Sequence, residues 1–196
     1  FYIAADRPGT YLEAAIGEGP AANYETDANT VLFLHGDEIA NSTSIKDSSF
    51  SGKVITANDT ARTVGNGKIG NAMSFDGTGD YLTATDSDDW TFTGDGVIDF
   101  WVNFNAVTYA QWVSHFPSAS DYWTIGMNSG ATALQFDHSV GGVSSINLSV
   151  PWTPSTSKWY HIAFVKSGND FSFYINGALA GKITDTDTIA NLTSVL

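Results

Sequence analysis

The chain of 196 residues contains no cysteine. That excludes disulfides, thiol catalysis, cysteine-ligated zinc and iron–sulfur clusters. It leaves the compartment open, because a core of this size needs no covalent staple. Positive charge is also scarce. Lys and Arg number 8 against 21 Asp and Glu, for a formal net charge of -13. So acidic a surface repels phosphate backbones and anionic lipid, so neither nucleic acid nor membrane insertion is expected. No apolar run reaches the roughly 20 residues of a membrane span. Glutamate is confined to Glu13, Glu18, Glu25 and Glu38. The chain opens on Phe1 rather than Met, which is read as a fragment or an absent native start.

What is present is β-like. Hydrophobic residues make up 42% and aromatics 13%, enough for a core, with only 15% charged. Lys158 to Gly181 reads KWYHIAFVKSGNDFSFYINGALAG. Two β-branched and aromatic runs flank Ser-Gly-Asn-Asp, and Asn176-Gly177 turns the chain again. Asn-Gly suits a type I′ turn, whose two central residues need φ > 0. Three consecutive antiparallel strands follow. Val97 to Phe104 alternates, with Ile98, Phe100, Val102 and Phe104 on one face and Asp99, Trp101 and Asn103 on the other. Shorter candidates lie at 54–56, 61–64, 72–75, 80–83, 112–114, 122–125, 133–136 and 146–150, with Pro151 ending or edging the last. Thr30 to His35 reads as a buried opening strand.

Residues 1–29 differ from the rest. Pro8-Gly9, Gly17, Gly19-Pro20 and Ala14-Ala15 mark an N-terminal arm or linker, with one short paired segment or a short helix over Tyr11–Ile16. Residues 30–196 form the expected globular domain.

The motifs FDGTGDYL (Phe75–Leu82), IDFWVNF (Ile98–Phe104), WYHIAFV (Trp159–Val165) and FYING (Phe173–Gly177) occur in that order after LFLHGD (Leu32–Asp37). Together they resemble the laminin-G-like branch of the concanavalin A-like lectin/glucanase superfamily, from about Thr30 to the end. The resemblance implies an all-β jelly-roll sandwich of two antiparallel sheets with an extended N-terminal arm. Members usually close with a further strand bearing an acidic, Ile-rich motif, which is missing here. Either the domain is cut short, or 1–29 supplies the last strand. Such domains bind glycans or proteins on cell surfaces and occur in secreted and phage structural proteins.

Catalysis is not expected. Glucanases of the superfamily carry Glu-x-Asp-x-(x)-Glu on one strand, and all four glutamates here precede the core without forming it. His35, His115, His138 and His161 are scattered, and no nucleophile elbow is present. Calcium is the metal the resemblance implies, at Asp76, Asp80 and Asp137, although Asp76 also suits a turn-building role. Glycan binding needs aromatic faces beside polar groups. Asp121, Tyr122 and Trp123 supply that mixture, and Trp101, Asn103, His161 and Tyr174 are expected to share the outer face of the other sheet. A Trp on a strand is also a common core residue. The expectation is a non-catalytic carbohydrate-binding or adhesion module of an extracellular or virion surface protein, with a glycan or cell-surface receptor as partner. The alternative is a structural or assembly module of a virion or filament that binds other chains of its assembly.

Overall fold

The computed structural model describes residues 29–189 and Leu192, together with the backbone of Tyr2–Ala4 and Thr10–Glu13. These two backbone segments are strands β1 and β2. β3 (Ile55–Asn58), β4 (Arg62–Val64), β5 (Ala72–Phe75) and β6 (Tyr81–Ala84) follow. The long strands come next: β7 (Gly96–Phe104), β8 (Ala110–His115), β9 (Tyr122–Met127), β10 (Ala133–Val140) and β11 (Val143–Pro151). The chain closes with β12 (Trp159–Ser167), β13 (Asp170–Ile175) and β14 (Ala178–Thr184). A 3-10 turn over Asp88–Trp90 is capped by Ser87, whose side chain accepts from the Asp89 amide.

Two antiparallel sheets result, in the order β11-β10-β9-β8-β1-β6-β3 and β14-β13-β12-β7-β2-β5-β4. They stack as a jelly-roll sandwich because period-two alternation gives each sheet one apolar face. Phe100, Val102, Ile162 and Phe164 enter the interlayer at 3%, 0%, 0% and 0% exposure. Phe136 of the first sheet stacks on Phe164 of the second, with ring centroids 4.2 Å apart. Along one side the edge strands nearly touch: a methyl on Gly181 of β14 would lie 2.5 Å from Val150 Cγ2 of β11.

The three strands expected between Lys158 and Gly181 are present, and the Asn-Gly turn has φ 51° at Asn176 and 79° at Gly177. Pro151 ends β11, an edge strand, where no neighbour needs its missing N–H. Thr30–His35 departs from expectation. Phe33 and Leu34 are buried, but only an isolated bridge, Leu34 to Asp47, forms there. The Asp47 carboxylate accepts from the amides of Phe33, Ser49 and Lys53, so a side chain does the work of a ladder. Of the helix considered over Tyr11–Ile16, Tyr11–Glu13 belongs to β2, and the remainder lies outside the described residues. β1 and β2 take interior places in the two sheets: β1 between β8 and β6, β2 between β7 and β5.

Candidate functional site

The outer face of the first sheet is polar by alternation. On β9 the residues Trp123, Ile125 and Met127 point inward, leaving Tyr122, Thr124 and Gly126 outward. On β10, Leu134, Phe136 and His138 point inward, leaving Gln135, Asp137 and Ser139 outward. Register sets these side by side. One row runs Gln111, Gly126, Gln135, Ser149, and the next runs Ser114, Thr124, Asp137, Asn147. Gly126 stands between two glutamines. A side chain there would run into the Ala110 carbonyl, where β8 bulges between Gln111 and Val113. The result is a shallow groove of about 150 Å³, lined among others by Tyr109, Gln111, Tyr122, Thr124, Gln135 and Asp137.

The groove is held rigidly. The Tyr122 ring stacks on Phe116 at 5.0 Å with planes 16° apart. Its hydroxyl donates to Asp137 Oδ2 at 2.9 Å. Asp137 Oδ1 accepts from Ser144 Oγ at 2.9 Å and Asn147 Nδ2 at 3.2 Å. Burial, and next the hydrogen bond to Asp137, push the Tyr122 phenol above its ordinary value, so it stays a neutral donor. Asp137 Oδ1 thereby uses both of its lone-pair sites, while Oδ2 keeps one for a further hydroxyl. The groove therefore offers two phenol rings, two amides, a hydroxyl and one carboxylate, with no cation among its lining residues.

The residues singled out from sequence do not fall in one place. Tyr122 lines the groove. Asp121 is not among its lining residues and accepts from Ser118 Oγ at 3.0 Å and the Gly141 amide at 2.8 Å. Trp123 does not line it either: it is 1% exposed, and its indole N–H donates to the Trp90 carbonyl at 3.2 Å. As the inward neighbour of Tyr122 on a strand it packs the core, and it presents no face to a sugar. Trp101, Asn103, His161 and Tyr174 lie on the outer face of the second sheet, the opposite side of the sandwich. There His161 packs on Trp101 at 5.2 Å, and its Nε2 lies 3.2 Å from Asp99 Oδ2. Lys68 Nζ stands 4.9 Å over the Trp101 ring.

Among the described residues no group of three or more His, Asp or Glu side chains gathers to hold a metal ion. Asp80 is 3% exposed and accepts from the amides of Thr60 and Asp76, each at 2.7 Å, so it ties two loops together. Asp76 Oδ1 accepts from the Thr78 amide at 2.7 Å, an Asx turn. Asp137 lies within β10, not after a strand, and on another part of the sheet.

Tyr109, Gln111, Thr124, Gly126 and Gln135 were not singled out from sequence. For Thr124, Gly126 and Gln135 the signal was the polar phase of β9 and β10, legible only once the neighbouring apolar positions are known to face inward; Gln111 lies on β8 and Tyr109 just before it, without that signal.

The model of the laminin-G-like family, within the concanavalin A-like lectin/glucanases superfamily, matches residues 76–195. The chain belongs to this family. Solved structures that share the fold include the following two. One is an S-layer domain-containing protein (residues 221–444) from Clostridium thermocellum, at 22% identity and TM-score 0.50, covering 83% of this chain and 74% of that one. The other is domain 4 of AbnA, a GH43 extracellular arabinanase from Geobacillus stearothermophilus, in complex with arabinotriose. It has 20% identity and a TM-score of 0.53, covering 77% of this laminin-G-like chain and 75% of that one. No curated protein matches significantly.

Proposed function

We propose that this laminin-G-like domain is a non-catalytic carbohydrate-binding module of a secreted or surface protein, and that its groove on the first sheet takes the glycan. The observation that carries this reading is the pairing of Tyr122 and Asp137 in a groove lined by two tyrosines and two glutamines. A sugar lays its C–H face on a phenol ring while its hydroxyls exchange hydrogen bonds with amides and a carboxylate. The arabinotriose-bound arabinanase domain of the same fold supports the ligand class, and its extracellular setting supports the location. Non-catalysis is supported by the lining, which contains a single carboxylate where glycoside hydrolysis uses a pair. Calcium at Asp76, Asp80 or Asp137 remains a proposal tested in the same experiment.

An oligosaccharide array, run with calcium and with chelator, tests the reading. Binding of neutral glycans is expected, lost about tenfold or more in Tyr122→Ala and in Asp137→Ala and kept in Trp101→Ala. Failure to bind any glycan overturns the module reading. Loss in Trp101→Ala with Tyr122→Ala intact moves the site to the second sheet. The assembly-module reading, in a virion or surface filament, is favoured by the interior seats of β1 and β2.

A further inference from the structure

An N-terminal strand that joins a sheet at its edge is ordinary. Here β1 and β2, 3 and 4 residues long, each sit inside a sheet. β1 registers Ile3 against Val113 of β8 and Leu82 of β6. β2 registers Tyr11 against Asn103 of β7 and Ser74 of β5. Lifting both strands out opens four edges, β8, β6, β7 and β5, in the middle of the sandwich. Each edge then carries unpaired N–H and C=O groups beside apolar core, a surface that another strand closes best.

Few ladder bonds hold strands this short, so lifting them out costs less than unfolding the whole domain. The following stretch, 14–28, reads AAIGEGPAANYETDA and holds few large apolar residues. A chain of that length spans on the order of 50 Å when extended, enough to reach a neighbouring molecule.

We propose that residues 2–13 are exchanged between copies of this chain, the N-terminal segment of one copy filling both interior slots of another. Closed monomer and exchanged dimer contain the same strand pairs, so linker geometry and concentration decide between them. Reciprocal exchange gives a closed dimer, and non-reciprocal exchange gives an open string of domains. The net charge of -13 opposes the encounter, so added salt favours exchange. The proposal is independent of the sugar reading, and the array result does not bear on it.

The lack of cysteine makes the test clean. Tyr11 and Asn103 are register partners, and such pairs sit at about 4.5–5.5 Å between Cα atoms, within disulfide range. One chain carries Tyr11→Cys, a second carries Asn103→Cys, and a third carries both. The third is expected to form an internal bridge, which reports β2 seated beside β7. The first two, mixed at millimolar concentration in salt under mild oxidation, are expected to give a disulfide-linked dimer whose peptide map joins residue 11 to residue 103. If the double variant bridges internally while the mixture yields no such cross-link, exchange is refuted. If the double variant does not bridge, β2 does not occupy the slot and the proposal falls with it.

Discussion

At the scale of single residues, Asp80 ties two loops together. Its carboxylate binds the Thr60 amide and hydroxyl and the Asp76 amide while nearly buried. Asp80→Ala strands two amide donors, so a loss of about 2–4 kcal/mol is expected in urea unfolding, with or without calcium. His115 and His138 are buried on the interlayer side at 3% and 1% exposure. Burial pushes both imidazoles below their ordinary value, against the opposing pull of Asp86 on His115 and of Asp187 and Asp137 on His138. The folded state therefore keeps them neutral, while the unfolded chain takes up protons below about pH 6.5. Their contribution is fully present above that value and is lost as pH falls below it. The urea midpoint is expected to drop between pH 7.5 and about pH 5, and to drop less in His138→Gln. An unchanged midpoint would show that neither imidazole is held neutral.

Among elements, what the sequence discloses depends on how local the cause is. β7, β12, β13 and β14 are legible because alternation and the Asn-Gly turn are written in consecutive residues. Asn176 adds a tertiary anchor: its Oδ1 accepts from the His161 amide at 2.9 Å. Asn176→Val forces a β-branched residue to φ 51° and is expected to cost about 1–3 kcal/mol, whereas Asn176→Gly costs less. Thermal melts of the two variants separate strain from the lost hydrogen bond. The segment around Leu34 was misread because Asp47, distant in sequence, satisfies its backbone. The seats of β1 and β2 were illegible for a similar reason. Nothing in Tyr2–Ala4 or Thr10–Glu13 states which of four distant strand edges they meet. The groove was half legible: Tyr122 and Asp137 stood out by type, but Gly126 acquires meaning only beside Ala110. Gly126→Ala is expected to destabilise the domain by about 1–3 kcal/mol through that collision, read as a lower urea midpoint.

Over the whole molecule, the sandwich places two polar, aromatic faces back to back, so a ligand on one leaves the other free. Charge acts on the entire body as well. Self-repulsion from a net -13 is expected to be relieved by salt, raising the melting temperature from low to moderate ionic strength. A melting temperature indifferent to salt would mean that local pairs such as Lys53–Asp89, at 2.6 Å, already balance the field. Legibility at this scale was high for architecture, since it follows from alternation summed over many strands, and low for ligand, which depends on a few side chains meeting.

Trp90, Trp112 and Trp123 are all sealed from water. Their ultraviolet emission should be blue-shifted in the native state and redden sharply on denaturation, which makes it a sensitive gauge of folding. The same seclusion renders these indoles nearly deaf to events on the Tyr122 side. A silent fluorescence titration would say little about affinity, and calorimetry is the better listener.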